Sequence, residues 1–109
     1  MNTESVDGHR ITDPSSLMDG GGQKPGDFAW EFDFTHFEHG AKPTDERLTL
    51  YFCLPGQTRW SPIHVQRGQP GDAATWGWDG NFDKPTVTPS ILQNGEWHGY
   101  LQAGRFNSC

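Results

Sequence analysis

The sequence predicts a small, mostly β domain: an antiparallel sheet or meander of hairpins around an aromatic core, with an extended N-terminal arm. Three observations carry this. Fourteen glycines and eight prolines in 109 residues favour strands and turns over long helices. Phe28-Ala29-Trp30-Glu31-Phe32-Asp33-Phe34-Thr35 alternates large aromatic with small or acidic residues, a period of two. Asn94-Gly95, between two runs of strand-forming residues, is a strong short-range hairpin signal. The length suits one domain. With 32% hydrophobic but 13% aromatic residues, the core should be small and built on rings.

Residues 1–27 are poor in apolar side chains and rich in Ser, Asp and Gly, ending in Asp19-Gly20-Gly21-Gly22. They read as a flexible or extended arm, and residues 28–109 as the β-rich domain. In the first strand, Phe28, Trp30, Phe32 and Phe34 share a face, and an exposed apolar patch over Phe28 to Phe37 would suit a protein partner. Leu48 to Leu54 is the next strand, with Leu48, Leu50, Phe52 and Leu54 on one face and Cys53 on the other; Pro55-Gly56 ends it. Arg59 to Gln66 returns, with Ile63 and Val65 opposite in sense to His64, and Arg67 to Thr75 is a loop.

Trp76 to Leu92 is the densest stretch. Asp79-Gly80 marks a turn, and Pro85 and Pro89 push Thr86 to Thr88 into extended geometry. A two-residue loop at Asn94-Gly95 would pair Gln93 with Glu96, Leu92 with Trp97 and Ile91 with His98. A second two-residue loop at Ala103-Gly104 would pair Gln102 with Arg105 and, counting outward, His98 with Cys109; Ala103 fits a primed turn poorly, and a register slipped by one would separate that pair.

A net charge of −6 and a pI near 5.1 argue against non-specific nucleic-acid binding and leave room for a basic protein partner. No stretch approaches the roughly 20 apolar residues of a membrane span, and the N-terminus has no apolar signal core. These features lead to an expectation of a cytoplasmic location, a protein partner, no nucleic acid and no membrane; a homo-oligomer is compatible with them.

The residue types that could hold a metal are Cys53, His64, His98 and Cys109. In the expected register, His98 and Cys109 have Cβ atoms about 4.5–5.5 Å apart, which suits two ligands of a tetrahedral zinc. The competing reading is a buried small Cys53, surface histidines and a free terminal thiol. His36 and His39 read as solvated loop residues. Phosphate loops, nucleophile elbows and helical His-Glu-x-x-His motifs are lacking. Asp79 and Glu96 are the weak candidates for a catalytic carboxylate, Asp79 being better explained by its turn.

Trp76-Gly77-Trp78-Asp79-Gly80, followed by Asp83-Lys84-Pro85-Thr86-Val87-Thr88-Pro89-Ser90-Ile91-Leu92, resembles the core of a small bacterial and phage domain family of unknown function. Phe52-Cys53-Leu54-Pro55-Gly56, Trp97-His98-Gly99 and Cys109 extend the resemblance over roughly Leu48 to Cys109. Phage members often carry the label ammonia monooxygenase; others lie in operons that resemble ubiquitin-like conjugation systems, where a metal-dependent peptidase role has been suggested. The sequence departs from the family in lacking a second cysteine at Gln57 to Trp60 and in stopping at Cys109. The resemblance implies a zinc site and a protein made in a host cell or carried in a virion. Three functions follow: a phage-type protein with a structural zinc acting through protein binding; a metal-free virion or host-defence-inhibitor module; and a zinc-dependent hydrolase or peptidase of ubiquitin-like systems. With no complete catalytic constellation, binding ranks above enzymatic activity.

Overall fold

The computed structural model describes residues 3–12, 24–34, 48–71, 75–93 and 95–109. Nine strands follow in chain order: β1 (Val6–Asp7), β2 (His9–Arg10), β3 (Asp27–Trp30), β4 (Leu48–Phe52), β5 (Ser61–Arg67), β6 (Thr75–Trp78), β7 (Val87–Gln93), β8 (Trp97–Gln102) and β9 (Arg105–Ser108). The fold is mostly β, as the alternation and turn chemistry predict. The strands form one ladder in the order β1-β9-β8-β7-β6-β5-β4-β3-β2, antiparallel except at β5–β6 and β2–β3.

The two ends of that order are consecutive in the chain. Val6–Asp7 pairs with β9 and His9–Arg10 with β3, so Val6 to Arg10 spans the seam and closes the sheet into a small barrel. Gly8 sits at the switch: its N–H donates to Gly104 O at 2.7 Å, and a Cβ there would overlap that same oxygen. His9 and Ile11 continue the seam by donating to Gly26 O and Phe28 O. Closure removes the open edges that invite pairing with other chains. Of the expected arm, residues 3–12 and 24–27 are described and carry this seam; His36 and His39 lie outside the described residues.

The barrel is filled by side chains, among them Phe28, Trp30, Phe52, Trp97, Leu101 and Phe106, all with 0% exposure. Rings meet tilted or edge-on, Phe52 to Phe106 at 5.7 Å and Trp97 to Phe106 at 6.3 Å between centroids, the arrangement ring quadrupoles favour. The core is aromatic, as composition predicts.

Four sequence expectations change. The first strand ends at Trp30 and gives way to a 3-10 turn over Glu31–Asp33. The Asp33 carboxylate accepts from the Trp30 backbone N–H at 2.9 Å, so local side-chain bonding competes with the ladder. Among the described residues the apolar patch is not exposed: Phe28 and Trp30 are interior, Phe32 is half-buried, Phe34 packs edge-on to Tyr51 and Trp60, and Phe37 lies outside the described residues. Thr75–Trp78 is a strand paired in parallel with β5, a pairing that four residues containing a glycine do not announce. Lastly, the β7–β8 register differs by one. Gln93 pairs with Trp97, Leu92 with His98 and Ile91 with Gly99. Glu96 N donates to Gln93 O at 2.8 Å and Gly95 has φ +71°, a turn closed by a left-handed residue inside a three-residue loop. The β8–β9 hairpin has the expected register, Gln102 with Arg105, with both Ala103 (φ +48°) and Gly104 (φ +77°) left-handed.

Candidate active site

β7 and β8 present alternate residues to the interior and to solvent. Val87 and Ile91 on β7, and Trp97 and Leu101 on β8, are fully buried. Ser90 and Leu92 on β7, and His98 and Tyr100 on β8, therefore stand on the outer face. Val87 pairs with Leu101 and Ile91 with Gly99, so β7 carries extra residues between these two pairs. This bulge spans Thr88, Pro89 and Ser90, and the Thr88–Pro89 peptide is cis. Bulges re-aim side chains, and this one holds a hydroxyl.

Ser90 Oγ lies 3.0 Å from His98 Nε2. His98 is directly opposite Leu92, and Ser90 is two residues along on the same face, a diagonal cross-strand neighbour within reach of a long side chain. Both residues are half-buried. Among the described residues, Ser90 is the side-chain partner of the His98 ring. The indole Nε1 of Trp76 donates to Ser90 O at 3.2 Å, fixing the backbone of the hydroxyl-bearing residue from β6. Pro89 and Trp76 also wall a cleft of about 190 Å³ with Pro70, Gly71 and Thr75. Leu92 and Tyr100, 58% and 41% exposed, add apolar surface to the outer face.

A serine hydroxyl is a weak nucleophile until a base takes its proton, and such a base must sit within about 2.6–3.2 Å. Ser90 and His98 meet that distance. The three-residue hairpin loop decides the pairing. In the two-residue register, His98 would share a face with Ile91; the one-residue shift moves it onto the face of Ser90. Ser90 is not among the sequence candidates, because it lies in no nucleophile-elbow motif and its histidine partner comes from a neighbouring strand.

The four residues read as zinc ligands are spread around the barrel. Cys109 N donates to His98 O at 2.9 Å, so these two are opposite each other on the strand pair β8–β9. Cys53 follows β4, and His64 lies on β5, with β6 and β7 between β5 and β8. Cys53 is fully buried, and its Sγ donates to Gln57 O at 3.1 Å. Burial, reinforced by the charge of Asp27, pushes its thiol up to about 11. His64 Nδ1 lies 3.2 Å from Thr49 Oγ1 across β4–β5. Among the described residues, no group of three or more His, Cys, Asp or Glu is arranged to hold a metal ion.

The candidate carboxylates have structural partners. Asp79 Oδ1 accepts from the backbone N–H groups of Asn81 (3.1 Å) and Thr86 (3.2 Å), while Gly80 takes φ +88°. Glu96 Oε2 accepts from Gln57 Nε2 at 2.7 Å. Among the described residues no helix is long and apolar enough to cross a membrane.

Comparison with known families finds one described as bacterial ubiquitination-like system serine protease (BubE), whose model matches residues 28–109. Searches of curated proteins and of solved structures give no match. The matched region contains β4 to β9, and β3 from Phe28 on, and with them Ser90 and His98. On this match the chain belongs to the BubE family, described as the serine protease of a bacterial ubiquitination-like system.

Proposed function

We propose that this protein is a serine hydrolase that cleaves an acyl bond within a bacterial ubiquitination-like system, with Ser90 as nucleophile and His98 as general base. The observation that carries the reading is the 3.0 Å separation of Ser90 Oγ and His98 Nε2 on an open face. The family description agrees with a serine-based chemistry. In the reactive tautomer Nδ1 bears the proton and Nε2 accepts from the hydroxyl. As Ser90 Oγ bonds to the acyl carbon, its proton passes to His98 Nε2 and then to the departing nitrogen as the carbon–nitrogen bond breaks. Water, deprotonated by the same imidazole, then releases the acyl group and restores Ser90.

This reading gives His98 a different role from zinc ligation, because Nε2 cannot accept from Ser90 and bind a metal with the same lone pair. It also promotes the hydrolase alternative above the two binding alternatives. An outward-facing nucleophile suits a macromolecular substrate, whose bulk a deep pocket would exclude.

The test is covalent labelling with a fluorophosphonate probe, read by mass spectrometry, beside cleavage of a ubiquitin-like protein carrying a C-terminal reporter. Wild type should label at Ser90 and cleave the fusion. Ser90→Ala should abolish both, and His98→Gln should slow cleavage by about 10²–10⁴-fold. Undiminished cleavage by Ser90→Ala would remove the proposal.

A further inference from the structure

The cleft lined by Pro70, Gly71, Thr75, Trp76 and Pro89 adjoins Ser90 through two of its walls. Pro89 immediately precedes Ser90 in the bulge. Trp76 lies along the cleft while its indole N–H holds Ser90 O. The remaining walls are Pro70 and Gly71, which follow β5, and Thr75, which opens β6, and Gly71 N donates to Thr75 O at 2.9 Å. Gln66, whose Nε2 donates to Gln69 O at 2.8 Å, braces the segment after β5. Among the described residues the lining is two prolines, a tryptophan, a threonine and a glycine, none of them charged. Its volume, about 190 Å³, exceeds the roughly 150 Å³ of an engineered apolar cavity known to admit benzene.

From this we infer that the cleft is a specificity subsite: it takes one large uncharged apolar side chain from the acyl part of the substrate. The inference rests on Ser90 being the nucleophile and adds what the site selects. An acyl segment that runs from Ser90 past Pro89 brings a side chain near the scissile bond to this concave lining, whereas Leu92 and Tyr100 on the same face are exposed and enclose nothing. Burying that side chain lowers KM and so raises kcat/KM, and a contact that tightens as the acyl carbon closes on Ser90 raises kcat as well. Glycine or alanine would leave the cleft wet, and a charged side chain would lose its hydration with no partner in the lining.

The experiment uses the full chain and a set of fluorogenic peptides whose acyl segment is glycine and serine, with a single leucine walked through successive positions. One position should raise kcat/KM by about 10–200-fold over the all-small peptide, the range a hydrophobic pocket delivers. Lysine at that position should give no gain. Pro70→Asp, at an exposed wall residue away from the Ser90–His98 hydrogen bond, should erase the leucine preference and favour lysine. Fluorophosphonate labelling of this variant at Ser90 shows that the hydroxyl still reacts, so that the lost preference is read on an active protein. Normal labelling with no leucine-dependent position, or with a preference that Pro70→Asp does not move, would overturn the subsite and leave the nucleophile standing. Absence of labelling in wild type would instead overturn the nucleophile, and the subsite with it.

Discussion

The two cysteines show how one residue type takes opposite characters from its surroundings. Cys53 is fully buried and bonded to the Gln57 carbonyl, whereas Cys109 is exposed at the end of β9. The Cys53 thiol, ordinarily near 9.0, is pushed up to about 11 because burial disfavours the thiolate and Asp27 repels it. A thiol-specific reagent near neutral pH should therefore modify Cys109 quickly and Cys53 only after denaturant is added. The same shift makes a pH prediction. The folded state holds this proton more tightly than the unfolded chain, so the stabilisation is complete below about pH 9 and is lost as pH rises through about 11. The urea midpoint should fall across that window, and less steeply in Cys53→Ala; equal slopes would show that the thiol does not carry the effect.

At the scale of elements, the β7–β8 hairpin is the unit that makes the site. Its three-residue loop places His98 on the outer face, and the bulge at Thr88–Ser90 brings the hydroxyl within 3.0 Å. Gly95 supports the loop with φ +71°, and a Cβ there would meet nothing within 4 Å. The cost of a side chain is thus conformational alone. Gly95→Ala should lose about 1–2 kcal/mol, and Gly95→Asn less, since asparagine tolerates the left-handed region. Urea unfolding should rank the variants Gly, then Asn, then Ala. Equal stability of the three would mean that the loop does not depend on this conformation. Asp79 acts in the same way one loop earlier, where its carboxylate gathers two backbone N–H groups and so is spent on shape.

For the whole molecule, the decisive feature is closure. Val6 to Arg10 lies outside the region matched to the family, yet it joins β9 to β3. Arg10 locks the seam. It binds Asp33 and Asp83, each at 3.0 Å, and its guanidinium lies 5.8 and 5.9 Å from the ring centroids of Phe32 and Phe82. The Asp33 side chain is only 6% exposed, so removing its cation leaves a poorly hydrated carboxylate. Arg10→Ala should destabilise the fold by about 1–3 kcal/mol, measured by urea unfolding at low and high salt. Deleting the first eleven residues should go further and speed amide exchange in β3 and β9, while the β7–β8 hairpin stays protected. Uniform loss of protection would show that the seam is needed for the barrel to form at all, and unchanged exchange at β3 and β9 would deny it a structural role.

By itself the sequence determined the β class, the aromatic core and the ends of several strands, because period-two patterning and turn residues are local properties. The Ala103-Gly104 register, and with it the juxtaposition of His98 and Cys109, was legible for the same reason. Tertiary structure decided the rest. Whether Asn94-Gly95 opens a two- or a three-residue loop depends on which face of β8 the barrel must bury, and the interior demand for Trp97 and Leu101 settles it. That one-residue difference turns His98 away from the interior side shared by Ile91 and toward Ser90. The seam at Val6–Arg10 was illegible because it joins β9, about a hundred residues away, to β3, and the parallel β5–β6 pairing because nothing in a short connection announces parallel rather than antiparallel return. A hydroxyl and an imidazole eight residues apart become a candidate catalytic pair only when a bulge and a hairpin register agree, and that agreement is a property of the closed barrel.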